Sequence, residues 1–205
     1  MTVFDRAYES VPSWEIGRPQ GAVVRLAEAG LVVGSVLDVG CGTGSNSLLL
    51  VEGGHLVLGI DIAAAAIARA TAAAAESAVP AEFLVFDAFR LADLGRSFDT
   101  ILDVGMFHTL QPDDRAAYAA SLRTVIAPGG SCFVVAWSDR NDFGYGPQRI
   151  TRGAIRSAFA RGWQVEEIRP ETLDTRLAGG TAHAWLARLR PRRARIRNAD
   201  RDRPT

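Results

Sequence analysis

Lysine is missing from this sequence, and cysteine and long apolar runs are scarce. All 23 basic residues are arginine, a composition that reflects coding bias and indicates no function. Cys41 and Cys132 are the only cysteines, so neither a disulfide framework nor a cysteine metal site is expected. No stretch reaches the roughly 20 apolar residues that are needed to cross a bilayer. The sequence therefore predicts a soluble protein with reduced thiols and no membrane partner.

The N-terminal residues also lack the features of a secretory signal. Asp5, Arg6 and Glu9 stand where a signal would have a basic head and an apolar stretch. We therefore expect a cytoplasmic location. The length of 205 residues and the hydrophobic fraction of 48% are typical of one globular domain that folds without disulfides or structural metals.

The zero net charge conceals an uneven distribution of charge. Residues 1–187 hold 15 arginines and 21 acidic residues, whereas residues 188–205 hold 8 arginines and two aspartates. The basic end can contact nucleic acid, or it can be a solvated extension; the acidic body opposes nucleic-acid binding and favours the extension. We expect a single domain over residues 1–189 and a basic, disordered tail over residues 190–205.

Short apolar runs alternate with longer stretches of helix-forming residues along the chain. The apolar runs are bounded by Gly, Asp or Pro, as is typical of strands that are buried on both faces of a parallel sheet. The predicted strands are 35–39, 55–61, 82–87, 98–104 and 131–137, followed by 163–168 and 181–189 as a C-terminal antiparallel hairpin, and the predicted helices are 20–29, 46–52, 63–77, 113–126 and 152–160. This alternation predicts an α/β fold: a doubly wound, mostly parallel seven-stranded sheet with helices on both faces. We expect residues 1–34 to form an N-terminal helical lid region and residues 35–189 to form the core.

A glycine-rich turn follows the first predicted strand. Asp38 lies near the end of that strand, and Gly40, Cys41, Gly42 and Gly44 follow before the next helix. Glycines let the backbone bend sharply and let a ligand approach without interference from a Cβ atom. The amides at the start of the helix are then available to a polar ligand. The turn predicts a ligand site at the end of this strand.

Acidic residues mark the ends of the second and third predicted strands. Asp61 follows Gly40 by 21 residues, the spacing at which a carboxylate on the adjacent strand accepts hydrogen bonds from the hydroxyls of a ribose. Asp87 ends the third strand, where its carboxylate or a neighbouring amide can meet the amino group of adenine. Each acid taken singly also fits a helix cap or a turn. Together with the glycine turn, the acids predict an adenosine-containing cofactor.

These segments resemble the cofactor motifs of class I S-adenosylmethionine (SAM)-dependent methyltransferases. The sequence is VLDVGCGTG over residues 36–44 and GIDI over residues 59–62, and FDTILD and APGG resemble the fourth strand and the turn before the fifth strand in that family. The resemblance implies a Rossmann-like methyltransferase fold, with SAM as cofactor and S-adenosylhomocysteine (SAH) as its product. A nicotinamide dehydrogenase is the nearest alternative, but its fingerprint places the last glycine three residues on, where this chain has Asn46 and Ser47 after Gly44.

The resemblance also assigns roles within the motifs. By resemblance, the glycines of the turn cradle the amino-acid portion of SAM, the acid of GIDI holds the ribose, and the residues after the third strand flank the adenine. The candidates for cofactor binding are Asp38, Gly40, Cys41, Gly42, Gly44, Asp61, Ile62, Asp87, Ala88 and Asp103.

The segment after the fourth predicted strand holds the candidates for catalysis. It lacks the Asn-Pro-Pro-aromatic or Asp-Pro-Pro-aromatic signature of related nucleobase amino-methylating enzymes, so DNA methylation is not expected. His108 lies near the predicted crevice, and a histidine with a pKa of about 6.5 can accept a proton from a hydroxyl, a ring nitrogen or a thiol. The alternative is that His108 hydrogen-bonds its own loop and helps to cap the next helix. Asp103 either orients the substrate or the amino group of SAM, or is structural.

Two outer loops carry aromatic residues that suit a flat acceptor. Together with DVGMFHTL, the sequences SWEIGRPQ and SDRNDFGYGPQRI are similar to a bacterial, largely actinobacterial, group of small-molecule methyltransferases that includes heterocycle and thiopurine-like enzymes. That group usually has serine where this chain has Val104. Rings in these loops can enclose an aromatic acceptor and arginines can bind an anionic substituent, or the rings simply pack the loops on the sheet. The candidates for substrate binding are Trp14, Arg18, His108, Trp137, Tyr145 and Arg149.

The sequence as a whole predicts a SAM-dependent methyltransferase for an oxygen, nitrogen or sulfur atom of a small aromatic or heterocyclic molecule, in natural-product or xenobiotic modification. No metal is expected, because Asp103 and Asp139 alone do not make a divalent-metal site. One alternative is a SAM-binding protein that transfers no methyl group: a regulator, scaffold or non-redox cyclase. Another is an RNA methyltransferase that uses the basic tail. Both a monomer and a homodimer are consistent with the sequence.

Overall fold

The predicted apolar runs form the strands of one sheet. In the computed structural model, which describes residues 3–142, 144 and 147–192, the strands are β1 (Ser35–Val39), β2 (Leu56–Asp61), β3 (Glu82–Val85), β4 (Phe98–Val104), β5 (Ile126–Trp137), β6 (Trp163–Asp174) and β7 (Thr181–Pro191). They lie in the order β3-β2-β1-β4-β5-β7-β6. Neighbouring strands from β3 to β5 are parallel, and β7 is antiparallel to both β5 and β6. The predicted mostly parallel seven-stranded sheet with a C-terminal antiparallel hairpin is therefore confirmed.

Helices cover both faces of this sheet. They are α1 (Val3–Ala7), α2 (Gly21–Glu28), α3 (Ser45–Glu52), α4 (Ala64–Glu76), α5 (Arg115–Val125) and α6 (Arg152–Ala158), with short 3-10 helices at Ala88–Leu94, Phe107–Thr109 and Pro112–Asp114. Successive side chains of a strand point to opposite faces, so Leu37 packs in one core with α5 and α6, whereas Val36 packs in the other with α2 and α3. Burial of both faces makes the fold doubly wound. Among the described residues, no helix combines the length and the apolar character that a membrane crossing requires.

The carboxyl ends of four neighbouring strands meet at one edge of the sheet. Val39 of β1 is in register with Ile60 of β2 and with Asp103 of β4, and Asp61 is in register with Val85 of β3. The connections that follow these four strands therefore start side by side. This arrangement brings the glycine turn close to the segments that follow β2, β3 and β4, at the edge where ligands bind in open α/β sheets.

The C-terminal hairpin is longer than the sequence pattern predicted. β6 continues to Asp174, six residues beyond its predicted end, and β7 continues to Pro191. The ladder pairs Trp163 with Pro191 at one end and Asp174 with Thr181 at the other. Charged residues interrupt the apolar alternation of β6, but cross-strand pairing keeps the backbone extended. Residues 193–205 of the predicted tail lie outside the described residues.

Two other strand ends differ from the prediction for local reasons. β5 begins at Ile126, five residues early, because Ile126 already pairs with Phe98 of β4, ahead of an irregularity that precedes the pair of Thr100 and Ser131. A Cβ atom on Gly130 would lie 2.8 Å from the carbonyl oxygen of Asp99, so only glycine permits this approach. β3 ends two residues early because Asp87 caps the next 3-10 helix, its Oδ1 accepting from the amide of Phe89 at 2.9 Å.

Replacement of Trp163 by phenylalanine tests the packing of α5 on the C-terminal hairpin. The indole Nε1–H of Trp163 donates to the carbonyl oxygen of Ala119 at 2.9 Å, and the side chain is fully buried. We expect Trp163→Phe to lower the free energy of unfolding by about 1–3 kcal/mol, measured by urea denaturation. Trp185→Phe is the control, because the indole of Trp185 donates to the exposed Asp139, which water can replace. Equal losses in the two variants would contradict the assignment to the buried hydrogen bond.

Candidate active site

Three glycines with left-handed backbone angles shape the turn after β1. The φ angle is +71° at Gly40, +56° at Gly42 and +83° at Gly44, a region that other residues rarely adopt. Neighbouring atoms also occupy the space that a side chain would need. A Cβ atom on Gly40 would lie 2.9 Å from the Cβ atom of Met106, and one on Gly44 would lie 2.7 Å from the ring of Phe83. The turn therefore requires glycine for both conformation and space.

The carboxylate of Asp61 fixes this turn against the end of β2. Its Oδ2 accepts from the amide of Gly42 at 3.0 Å, and its Oδ1 accepts from the amide of Ala63 at 2.8 Å. The carbonyl oxygen of Ile60 accepts from the amide of Gly40 at 2.8 Å. Burial raises the pKa of Asp61, and the two amide hydrogen bonds act in the opposite direction. Each carboxylate oxygen keeps a lone pair for the hydroxyl of a ligand.

A cavity of about 690 Å³ lies over this edge of the sheet. Its volume is within the range of small-molecule sites. Most of the predicted cofactor-binding residues line it, and four of the predicted substrate-binding residues line the same cavity. The first group consists of Gly40, Cys41, Gly42, Asp61, Ile62, Asp87 and Ala88, and the second of Trp14, Arg18, His108 and Trp137.

The cavity also gathers apolar side chains that are open to solvent. Phe4, Trp14, Ile62, Phe89 and Leu177 all line it, and each is exposed by 36% or more. A concentration of exposed apolar surface in a concave site indicates that a ligand covers it. The site can therefore bury an apolar group next to the polar glycine turn.

Some predicted site residues lie outside the cavity lining. Asp38 is buried on the α3 side of β1, where its Oδ2 accepts from the hydroxyl of Ser47 at 2.7 Å and burial raises its pKa to about 6. Gly44 forms the N-cap of α3. Tyr145 lies outside the described residues. The predicted residues that the structure places outside the lining are Asp38, Gly44, Asp103 and Arg149.

The two arginines that were expected to bind an anionic substituent already have protein partners. Nη1 of Arg18 lies 3.0 Å from Oδ2 of Asp174. Arg149 donates through Nη1 to the carbonyl oxygen of Pro147 at 2.7 Å and through Nη2 to that of Asp142 at 2.6 Å. These guanidinium groups stabilise outer segments of the protein, and their binding of an anionic substituent stays a prediction.

Asp103 is buried behind the cavity. Its Oδ1 accepts from the amides of Met106 and Phe107, at 2.9 and 3.1 Å, and its Oδ2 accepts from the hydroxyl of Tyr118 at 2.7 Å. Burial raises the pKa of Asp103 to about 7, although these three hydrogen bonds lower it. The carboxylate does not line the cavity, which favours the structural role that the sequence allowed over a contact with substrate or SAM. It instead anchors the turn after β4 that carries His108.

His108 and Trp137 form adjoining parts of the cavity wall. Their rings meet edge to face with 6.4 Å between centroids, and Nδ1 of His108 accepts from the backbone N–H of Trp137 at 3.0 Å. Burial lowers the pKa of His108 to about 3. The imidazole is therefore neutral at physiological pH, and one of its nitrogens is already engaged by the protein.

The N-terminal wall of the cavity contains Tyr8 and Glu15, which the sequence did not single out. The hydroxyl of Tyr8 accepts from Nε1 of Trp14 at 3.3 Å, and the hydroxyl of Thr43 donates to Oε2 of Glu15 at 2.7 Å. A Cβ atom on Gly42 would lie 2.9 Å from the hydroxyl oxygen of Tyr8. The segment before α2 is thus held against the glycine turn. The sequence pointed to this segment through Trp14, Arg18 and the expected lid over residues 1–34, but nothing in the pattern identified Tyr8 or Glu15.

The end of β6 and the connection to β7 form a second wall that the sequence did not reveal. Leu173, Asp174, Thr175 and Leu177 line the cavity. Gln20 joins this connection to the N-terminal segment, because its Nε2 donates to the carbonyl oxygen of Asp174 at 3.0 Å and its Oε1 accepts from the amide of Asp174 at 2.8 Å. Residues from the two ends of the chain therefore meet at one side of the site.

Comparison with known proteins gives this architecture a family. Residues 36–130 match the family model described as "Methyltransferase domain". The chain is 34% identical over 166 residues to the 2-heptyl-1-hydroxyquinolin-4(1H)-one methyltransferase of Mycobacteroides abscessus. The aligned region covers 79% of this chain and 73% of that protein. A structure described as "Conversion of a Disulfide Bond into a Thioacetal Group during Echinomycin Biosynthesis" is similar with a TM-score of 0.85 and 33% identity, covering 92% of this chain and 90% of that one. The magnesium protoporphyrin IX methyltransferase of Synechocystis, solved with bound SAM, shares the fold with a TM-score of 0.64 at 21% identity, covering 91% of this chain and 79% of that one.

The chain belongs to the class I SAM-dependent methyltransferases. It is an enzyme of that class with SAM as its cofactor, as the sequence predicted. The glycine turn and the carboxylate of Asp61 fit this cofactor, because a Cβ atom would fill the cradle and the carboxylate keeps lone pairs free. Among the described residues, no group of three or more His, Cys, Asp or Glu side chains is arranged to hold a metal ion.

Replacement of Asp103 by asparagine tests the ionisation of this buried acid. Because the folded protein holds the proton of Asp103 more tightly than the unfolded chain does, the free energy of unfolding falls as pH rises from about 4 to about 7. Asparagine keeps an acceptor for the two amides and has no charge to bury. We expect Asp103→Asn to lose less stability than the wild type between about pH 5 and pH 8, by roughly 2–3 kcal/mol in urea denaturation. Parallel stability profiles would contradict the elevated pKa.

Proposed function

We propose that this enzyme methylates an oxygen, nitrogen or sulfur atom of a small, flat aromatic or heterocyclic molecule. The observation that carries the proposal is one cavity that is lined both by the glycine turn with Asp61 and by the apolar side chains of Leu110, Trp137 and Leu177. Bound SAM supplies an electrophilic methyl group on a sulfonium. The protein has to hold an acceptor in line with that group and exclude water.

The cofactor end of the cavity has groups that match each part of SAM. The glycine turn at Gly40 and Gly42 would receive the amino-acid portion, and the lone pairs of Asp61 would accept from the ribose hydroxyls. Ile62 offers apolar surface to the adenine, and Asp87, two residues after β3, would bind its amino group. These roles follow the family resemblance, and the cavity lining supports them.

The cavity also has apolar and aromatic walls that suit an acceptor. Leu110, Trp137 and Leu177 line it, and His108 contributes a polar nitrogen. Aromatic walls stack on flat rings and keep water out with little loss of conformational entropy. The Mycobacteroides relative is named for a hydroxyquinolinone, and the echinomycin structure for a conversion of a disulfide bond. Both names support an acceptor with an oxygen or sulfur nucleophile on a ring system or a small scaffold.

The charge of the cavity also favours a small molecule over nucleic acid. Four acidic side chains and one ion pair surround it, and an acidic rim repels a phosphate backbone. The acidic residues are Glu15, Asp61, Asp87 and Asp114, and the ion pair is Arg18–Asp174.

We also propose that the protein works in the cytoplasm as one catalytic domain over residues 1–189. Residues 1–34 form its lid, and the basic tail lies outside the catalytic unit.

Calorimetry on Asp61→Ala tests the cofactor site. The change removes the acceptor for the ribose hydroxyls and the partner of the Gly42 amide. We expect the affinity for SAM and SAH to fall by about tenfold to a hundredfold, since a hydrogen bond to a charged group contributes about 1.5–3 kcal/mol. Asp93→Ala is the control, because Asp93 pairs with Arg90 on the surface. Equal affinities in the wild type and Asp61→Ala would remove Asp61 from the site.

A panel of three acceptor types tests the transfer itself. With SAM present, we expect mass spectrometry to detect a methylated product from at least one of 1-hydroxyquinolin-4(1H)-one, thiophenol and benzimidazole. A protein truncated after residue 192 should give the same product at a similar rate, whereas an RNA methyltransferase that uses the tail would lose activity on RNA. Binding of SAM without turnover of any acceptor would favour a protein that transfers no methyl group.

A further inference from the structure

The hydrogen bond between His108 and Trp137 fixes the tautomer of the imidazole. β4 ends at Val104, and the amide of Gly105 makes the last bond to β5, donating to the carbonyl oxygen of Val135 at 3.0 Å. The chain then turns away at Gly105, where φ is +99°. The next N–H on this side of β5 belongs to Trp137, and β4 no longer supplies a carbonyl oxygen for it. Nδ1 of His108 accepts from this N–H instead, at 3.0 Å. A backbone N–H can only donate, so Nδ1 carries the lone pair and the neutral ring carries its proton on Nε2.

The Nε2–H group is available to a ligand. The imidazole lines the cavity, and Nε2 lies near Gly105, 3.8 Å from the position that a Cβ atom would occupy on this glycine. In the part of the chain that the structure describes, the bond at Nδ1 is the only hydrogen bond of the ring. A donor without a protein partner in a ligand cavity is a group that recognises an acceptor of hydrogen bonds.

The same geometry opposes a role as general base. The lone pair of Nδ1 already accepts a hydrogen bond, and Nε2 already carries a proton. A second proton would have to sit on Nδ1, directly against the N–H of Trp137. Burial has the same effect, since it lowers the pKa of His108 to about 3. The ring therefore stays neutral over the pH range in which proteins work.

The charged groups around the cavity are mostly engaged elsewhere. Among the acids, Glu15 accepts from Thr43, Asp61 and Asp87 accept from backbone amides, and Asp103 lies behind the turn with Tyr118. Among the arginines, Arg18 pairs with Asp174, and Arg149 lies over the ring of Trp137 at 5.7 Å and donates to carbonyl oxygens. Asp114, exposed at the start of α5, is the remaining carboxylate of the lining. It is the one further candidate for a base among the described residues, and the experiments below include it.

We propose that His108 acts as a fixed hydrogen-bond donor that positions the acceptor through Nε2–H, and that the acceptor is a hydroxyl or thiol acidic enough to enter the site as its anion. This inference rests on the function proposed above and names the acceptor class within it. A hydrogen bond from a neutral donor to an anion is stronger than one to a neutral group, so the site selects the ionised form. N-hydroxy heterocycles, enolic hydroxyls and aromatic thiols belong to this class.

The reaction then needs no base. One lone pair of the anionic oxygen or sulfur accepts from Nε2–H, and another forms the new bond to the methyl carbon. The carbon–sulfur bond of the donor breaks, its electron pair remains on sulfur, and the negative and positive charges of the reactants cancel. No proton is transferred in this step.

Nitrogen-15 NMR on protein labelled at histidine tests the tautomer without any turnover. Comparison of the wild type with His108→Asn assigns the signals of His108. We expect a neutral ring protonated on Nε2, unchanged from about pH 5 to about pH 9, and a shift of the Nε2–H signal when thiophenol is added to the SAH complex. A ring protonated on Nδ1, or one that titrates in this range, would overturn the proposal.

Two substitutions of His108 test the donor at Nε2 separately from the acceptor at Nδ1. His108→Asn keeps an oxygen near the Nδ1 position for the N–H of Trp137 but has no donor at the Nε2 position, whereas the amide of His108→Gln reaches the Nε2 position and can donate there. We expect His108→Asn to lower kcat/KM for the acceptor by about tenfold to a hundredfold with unchanged affinity for SAM, and His108→Gln to recover much of the loss. Equal loss in both variants would instead indicate a base.

The dependence of kcat/KM on pH shows whether this inference fails while the proposed function stands. For two ring-substituted analogues of the acceptor with different acidity, the midpoint of kcat/KM against pH should move with the pKa of the acceptor. A midpoint that is the same for both analogues and disappears in His108→Asn or Asp114→Asn would assign a base to the protein and overturn the inference, although methyl transfer would stand. If no acceptor in the panel is methylated, the proposed function fails, and the NMR result still decides the role of the ring.

Discussion

The two amide hydrogen bonds of Asp61 are the interaction on which the rest of the site depends. They tie the glycine turn after β1 to the start of the connection after β2, and the parallel register of Val39 with Ile60 makes this short bridge possible. With the turn held in this way, left-handed glycines can present backbone groups to a ligand. The same carboxylate keeps lone pairs for the ribose, so one side chain both holds the glycine turn in place and can bind the cofactor.

The parts of the fold that could be predicted are those encoded in neighbouring residues. Strand β1, the glycine turn and the carboxylate of Asp61 lie within a continuous segment of fewer than 30 residues, and their order and spacing identify a nucleotide-type cofactor. The order of the strands follows from the alternation of strand and helix, together with the handedness of crossovers. The length of β6 could not be predicted in this way, because its ladder with β7 is a tertiary contact that its own composition does not reveal.

The candidate site shows the same division. Tyr8 and Glu15 come from the N-terminal segment, and Leu177 comes from the connection between β6 and β7, so pairing of distant segments brings them to the cavity. The acids at strand ends were found, but the direction of their side chains was not. Asp38 and Asp103 precede the last residue of their strands and point into opposite helical layers, toward α3 and α5, whereas Asp61 is the last residue of β2 and faces the edge. An acid at the last position of its strand thus faces the ligand, whereas an acid one position earlier is buried against a helix.

The N-terminal helix has a practical consequence for anyone who handles this protein. α1 begins at Val3, and Phe4 and Tyr8 already line the cavity. Any purification tag joined ahead of these residues would start beside the cavity. β7 ends away from the site, because Pro191 pairs with Trp163 at the opposite end of β6 from Asp174 and the cavity wall, so material for binding and kinetic work is better made with a fusion on the C-terminal side.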